Sequence, residues 1–177
     1  MKISLILLLA LMPARPAYGR LQYTLHLDLR AAPEIAGKRI ATFSQALRAF
    51  GRPAAVASGA ATPPACTASW PTLGLRIGFS APTSASCAAQ DLGPWLQVTA
   101  TARRWHTYAG LHVGDSERSL HALYPNARRL DFLGHGRMWE LETGGPFCDG
   151  GPPLALAARM RGGWVSALVI VHVPACG

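Results

Sequence analysis

Residues 110–125 read "GLHVGDSERSLHALYP". One hydroxyl in this stretch has two incompatible uses. Behind Gly114 and Asp115, Ser116 has the setting of an exposed nucleophile. It also has the setting of a helix cap, because Asp and Ser side chains accept hydrogen bonds from the free amides of a first helical turn. Glu117 then sits where the helix dipole favours a negative charge. Leu120, Leu123 and Tyr124 follow at helical spacing as a buried stripe, and Pro125 stops the helix. Gly114 lets the incoming "LHV" turn sharply. The cap explains more of these residues, so the spacing predicts one short helix.

Downstream lie "RRLDFLGHGRMWELET", "LALAARM" and "WVSALVIVHV". Gly134 and Gly136 punctuate the first hairpin, and "RGG" at 161–163 makes a close turn between the last two strands. A helix followed by a meander of three or four antiparallel strands is the expected architecture. Upstream, residues 21–30 alternate strictly, with Leu21, Tyr23, Leu25, Leu27 and Leu29 on one face, as a half-buried strand does. "AAPEIAGKR" reads as a turn. Residues 42–50 carry Phe43, Ala46, Leu47 and Phe50 at helical spacing behind a Thr42 cap. Residues 51–64 are small and read as an exposed linker. Residues 73–79 and 94–100 read as strands.

The fold class is therefore α+β, short helices on an antiparallel sheet. "SQALRAFGRPA" and "ERSLHALYPNA" echo one another at an offset of 73 residues, pairing Leu47 with Leu120 and Phe50 with Leu123. Each is followed by a Trp, Trp70 and Trp139. The echo suggests two tandem helix-plus-hairpin units, 20–101 and 102–177, behind a signal peptide at 1–19.

That signal peptide has a positive start at Lys2, an apolar run over 3–12 and small residues at Ala17 and Gly19. The run is shorter than the roughly 20 residues that span a bilayer. The expectation is a secreted protein, extracellular or cell-wall associated, with no membrane span after cleavage. Cys66, Cys87, Cys148 and Cys176 remain, an even count that points to two disulfides. Pairing Cys66 with Cys87 and Cys148 with Cys176 brackets one candidate unit each, although four cysteines allow three connectivities. No C-x-x-C spacing supports zinc, and no metal or cofactor is expected. The net charge of +8 falls to +6 once Lys2 and Arg15 leave, almost all of it arginine. The arginines are scattered without interleaved aromatics, so nucleic acid is not an expected partner.

An esterase serine needs a base, an orienting acid and oxyanion donors. In secreted hydrolases with a Gly-Asp-Ser-Leu block, that block lies near the mature N-terminus. Here Glu117 replaces the Leu and only 61 residues follow Ser116. "DFLGH", with Asp131 and His135, has one residue too many for an Asp-x-x-His pair, and the G-x-S-x-G elbow is missing. His112 and His121 are placed to approach each other, but no His-x-His or H-E-x-x-H pattern is present. His106, His135 and His172 read as structural. Five tryptophans mark either core or partner anchors. Trp105, in "ARRWHTYAG", lies in a polar stretch and is the best candidate for an exposed anchor. Tyr108, Arg103 and Arg104 complete that candidate binding patch.

The segment over 110–125, followed by a Trp-bearing hairpin, resembles the repeat unit of the β-lactamase-inhibitory-protein and small outer-membrane-assembly lipoprotein (SmpA/OmlA) group. The likeness covers about 110–160, and 40–79 more faintly. It implies exported, non-enzymatic domains that bind proteins through an exposed sheet face. The chain departs from the anchored branch in lacking a lipobox Cys, and the inhibitor's contact residues have no counterparts here. The expected function is a non-catalytic exported module that binds a secreted or cell-surface protein or another envelope component. A small secreted serine hydrolase using Ser116 with His112 or His135 is the alternative.

Overall fold

The computed structural model describes residues 24–27, 33–59, 65–82, 87, 92–132, 136–144 and 154–172. The proposed signal peptide, His135, Cys148 and Cys176 lie outside them. Among the described residues two short helices accompany a sheet-dominated fold.

Helix α1, Phe43–Phe50, begins where Thr42 and Gln45 cap each other. Thr42 Oγ1 accepts the Gln45 amide at 3.3 Å, and Gln45 Oε1 accepts the Thr42 amide at 3.2 Å. This reciprocal capping box satisfies two otherwise free amides. Phe43 and Ala46 point into the core, with Phe43 packed edge-on against Phe79 at 5.3 Å. Helix α2, Glu117–Leu123, is capped by Ser116, whose Oγ accepts the Ser119 amide at 3.1 Å. Leu120 is fully buried and Tyr124 nearly so, but Leu123 is 39% exposed. The expected stripe of Leu120, Leu123 and Tyr124 is thus corrected. Tyr124 caps the helix and turns inward, while Leu123 is left on the solvent side.

Eight strands form the main sheet: β4 (Ala55–Gly59), β5 (Ala65–Trp70), β6 (Leu75–Ser80), β7 (Trp95–Ala100), β9 (Arg128–Phe132), β10 (Gly136–Gly144), β11 (Leu154–Arg161) and β12 (Trp164–His172). Their order is β4-β5-β6-β7-β12-β11-β10-β9, every neighbour antiparallel. The order repeats when read inward from either edge. Each half is a capped helix followed by a four-stranded meander, and the last strand of one meander pairs with the last of the other. The same relation holds at the caps: Thr42 bridges Pro94 at the start of β7, and Ser116 bridges Trp164 at the start of β12. Aligning the caps gives an offset of 74 rather than 73. Ala46 then corresponds to Leu120, both fully buried, and Phe50 to Tyr124, both on the core side.

Two stretches read as turn or linker form strands. Residues 51–64 contain β4, whose small side chains carry no apolar alternation to announce it. "AAPEIAGKR" contains β2 (Pro33–Ile35) and β3 (Lys38–Arg39), a hairpin turning at Ala36 and Gly37 with φ of 55° and 71°. Left-handed backbone costs an L-residue about 1–2 kcal/mol. Ala36 is held there by burial and by donating its N–H to Thr24 O at 2.9 Å. β2 pairs with β1 (Thr24–Leu27), which runs parallel to β8 (His106–Thr107). This second sheet, β3-β2-β1-β8, ties the start of the chain to its middle.

The principal core fills the helix side of the main sheet. Leu75, Ile77, Phe79, Leu156, Leu168 and Ile170 are 1% exposed or less there. On the opposite side the two halves differ. Met138, Ala155, Ala157, Val169 and Val171 form a second buried cluster on the β10–β12 side. The neighbouring β7 residues that share this face are Gln97 and Thr99, in register with Val171 and Val169. Beside the cluster Glu140 is 5% exposed. Its Oε1 accepts from Arg128 at 2.9 Å and from Thr143 at 2.6 Å.

Candidate functional site

Ser116 belongs to the helix. Its Oγ lies 3.1 Å from the Ser119 amide and 3.0 Å from the Ser119 hydroxyl. Asp115 is not a second cap, because its Oδ2 accepts the His112 amide at 2.8 Å. His112 turns away from Ser116: its Nδ1 faces Arg103 O at 3.4 Å, and its ring lies 5.0 Å from that of His106. The expected approach of His112 to His121 does not occur either. His121 packs edge-on against Trp139 at 4.5 Å. Among the described residues no group of three or more His, Cys, Asp or Glu is placed to hold a metal ion.

The stretch before α2 has a second task, which is to extend the sheet beyond β7 alongside the start of β12. Gly114 N–H donates to Val165 O at 2.7 Å, Val165 N–H to Asp115 O at 2.8 Å, and Glu117 N–H to Gly163 O at 2.9 Å. Gly114 has φ +97°, and a Cβ there would meet the Arg103 side chain at 3.1 Å, so the crossing requires glycine. At the other end Gly162 and Gly163, with φ of 60° and 81°, make the tight β11–β12 turn that positive φ at both positions favours. Trp164 is therefore fixed from both sides along its backbone. Its indole is nevertheless 58% exposed.

A bulky aromatic left open on an already ordered backbone spares a partner the cost of ordering that backbone. Against the β11–β12 turn lies a cavity of about 210 Å³ lined by Glu117, Arg129, Arg137, Trp139, Met160 and Gly163. The Arg129 guanidinium sits 5.9 Å from the centre of the Trp139 ring. Two arginines against one glutamate leave this opening suited to an acidic or polar group.

The patch expected from sequence is placed differently. Trp105 is 0% exposed, and its indole N–H donates to Leu73 O at 2.6 Å, so the expectation of an exposed anchor there is corrected. Arg104 donates to Thr72 O. Arg103 borders Gly114, as its contact there shows. Trp105 and Arg104 fasten the segment over 101–116 to the first half of the chain. Arg103, Arg104 and Tyr108 are all exposed, Tyr108 at 63% with its hydroxyl 3.5 Å from Glu34 Oε1. Tyr124 is the buried counterpart. Its hydroxyl donates to Glu142 Oε1 at 3.1 Å, and burial first, then the Glu142 charge, pushes the phenol well above its ordinary value.

Cys66 and Cys87 form a disulfide with Cα atoms 5.6 Å apart. The second expected pair lies outside the described residues. Comparison of the chain with family models, with curated proteins and with solved structures returns no match. Trp164 has no motif to mark it in the sequence. Its signal was position: the residue straight after a Gly-Gly turn lies at a hairpin tip, where burial is hardest to complete.

Proposed function

We propose that this chain is an exported, non-catalytic module that binds another protein, with Trp164 as the principal anchor and the neighbouring arginine-lined cavity receiving an acidic or polar group. The observation that carries this reading is the combination at Trp164 of a backbone tied on both sides and a mostly exposed indole. Aromatic and arginine side chains of this kind dominate binding energies at protein interfaces. The occupied Ser116 hydroxyl supports the non-catalytic half of the reading. The likeness to β-lactamase-inhibitory repeats fits it too, as does the arrangement of two capped helices and two meanders, which we read as a tandem duplication. The far side of β10–β12 is buried, so binding is assigned to the hairpin end rather than the middle of that face.

Export and a secreted or cell-wall location rest on the leader over 1–19. The test is capture of proteins from the exported and envelope fractions of the source cell, using wild type and Trp164→Ala. Enrichment by wild type of a protein that the variant fails to retain is the expected result. Equal retention by a folded variant would remove Trp164 from the account. The serine-hydrolase alternative predicts turnover of an ester or peptide that Ser116→Ala abolishes.

A further inference from the structure

Trp105, Thr107, Leu111 and Val113 are all buried, so the short hairpin they belong to presents the residues between them, His106 and His112, on its outer side. The backbone is fixed around both histidines. Thr107 N–H donates to Leu111 O at 2.9 Å, and Val113 N–H donates to Trp105 O at 3.1 Å. Those two bonds leave His106 and His112 directly opposite each other as a non-hydrogen-bonded pair, where cross-strand side chains come closest. Their ring centres are 5.0 Å apart, with the ring planes inclined at 39°. His106 is half-buried and His112 exposed, so the pair is open to solvent. Nδ1 of His106 lies 3.0 Å from Thr107 O, and Nδ1 of His112 lies 3.4 Å from Arg103 O. A carbonyl only accepts, so Nδ1 carries the proton in each ring and the Nε2 lone pair is left for another partner. Among the described residues neither Nε2 has one.

We propose that His106 and His112 form a surface site for one Cu²⁺ ion, bound through both Nε2 atoms with water at its remaining positions. At a metal–nitrogen distance of about 2.0–2.1 Å, each ring centre lies roughly 3.2 Å from the ion. Ring centres 5.0 Å apart then correspond to a nitrogen–metal–nitrogen angle of roughly 100°. That is close to the right angle of tetragonal copper coordination. A ligating histidine as a rule donates its other ring N–H to a carbonyl or carboxylate, and both rings do so here. Two ligands build no cage that selects an ion by shape. Selection falls to intrinsic affinity, which is highest for Cu²⁺ among the first-row divalent metals. The net positive charge of the chain does not stand against a cation at this place. Exposed charges farther away than about 10 Å are largely screened at 0.1 M salt. Close by, the Arg103 side chain is offset by the Asp115 carboxylate, whose Oδ2 accepts the His112 amide at 2.8 Å. Pairing across the hairpin, rather than a His-x-His pattern, makes the site.

The experiment is titration of the purified chain with Cu²⁺ in a non-coordinating buffer, read by calorimetry and by electron paramagnetic resonance of the copper-loaded chain. The expected result is one ion per chain at the tightest site, with two nitrogen ligands in the spectrum. His106→Gln and His112→Gln should each weaken binding by more than about tenfold, because even groups that only orient a ligand are worth that much. His121→Gln should leave binding in place, since that ring packs against Trp139. Zn²⁺ should displace the copper only when in excess. Thermal midpoints taken without metal separate loss of the site from loss of the fold, and should a variant unfold, the nitrogen count in the wild-type spectrum still decides. Failure to take up copper overturns the proposal, as does a spectrum with fewer than two nitrogens. Undiminished binding when both histidines are replaced, or tighter binding of Zn²⁺ than of Cu²⁺, also overturns it.

Discussion

The residue that bridges the helix cap is Pro94 in the first half and Trp164 in the second. Much else about the two positions corresponds: a capped helix and three strands of a meander precede, and the bridged residue leads into the innermost strand. At the first position the bridged residue is an exposed proline, and the residue after it, Trp95, is 4% exposed, just as Val165 after Trp164 is 1% exposed. At the second an indole stands in solvent. The comparison separates architecture from use. One scaffold position is open in both halves but carries a large aromatic only in the second, so the second is where a partner's contacts are to be sought.

The comparison can be strained first at the helices. Cap alignment pairs Ala46 with Leu120, so the second helix relies on one large side chain where the first shares the load with Phe43. Leu120→Ala should cost about 2–5 kcal/mol in denaturant unfolding. A cost below 1 kcal/mol, on the order of a surface change, would mean that α2 is not docked as described. The caps provide a finer test. Thr42→Ala and Ser116→Ala should each lose about 1 kcal/mol, and similar losses would support their equivalence.

Tyr124 supplies a smaller, pH-dependent difference. Its phenol is held protonated by burial and by Glu142, above the ordinary value of 10.0. Its contribution is therefore complete below pH 10 and is lost as pH rises beyond that value. Tyr124→Phe should lose about 1 kcal/mol near neutrality and then show less alkaline destabilisation than wild type. Urea unfolding on both sides of pH 10 reads this directly, and parallel curves for the two proteins would contradict it.

Much of this was legible in local pattern. Thr42 before Phe43 and Ala46, Ser116 before Leu120, and "RGG" between two alternating runs are signals confined to a few residues, and each produced its element. The Cys66–Cys87 disulfide was also within reach. What escaped depends on partners far along the chain. β4 is a strand because β5 lies beside it, not because "AVASG" is apolar on one face. The sheet joining β1 to β8 needs pairing across some 80 residues. Trp105 stands among Arg103, Arg104 and His106, and only the Leu73 carbonyl, 32 positions earlier, gives its indole a reason to be buried. The same dependence hid the candidate site. Sequence favoured the tryptophan in polar company, whereas the fold exposes the one in apolar company, because the β11–β12 hairpin ends there.

The most direct test sets Trp164→Ala against Ser116→Ala in one capture assay on exported and envelope proteins, with both variants checked for folding and for hydrolysis of an ester and peptide panel. Trp164→Ala should keep wild-type stability to within about 0.5 kcal/mol and lose the captured partner. Ser116→Ala should keep the partner, and no turnover should depend on its hydroxyl. Undiminished capture by Trp164→Ala, or a hydrolytic activity that disappears with Ser116, would contradict the assignment of this surface to binding.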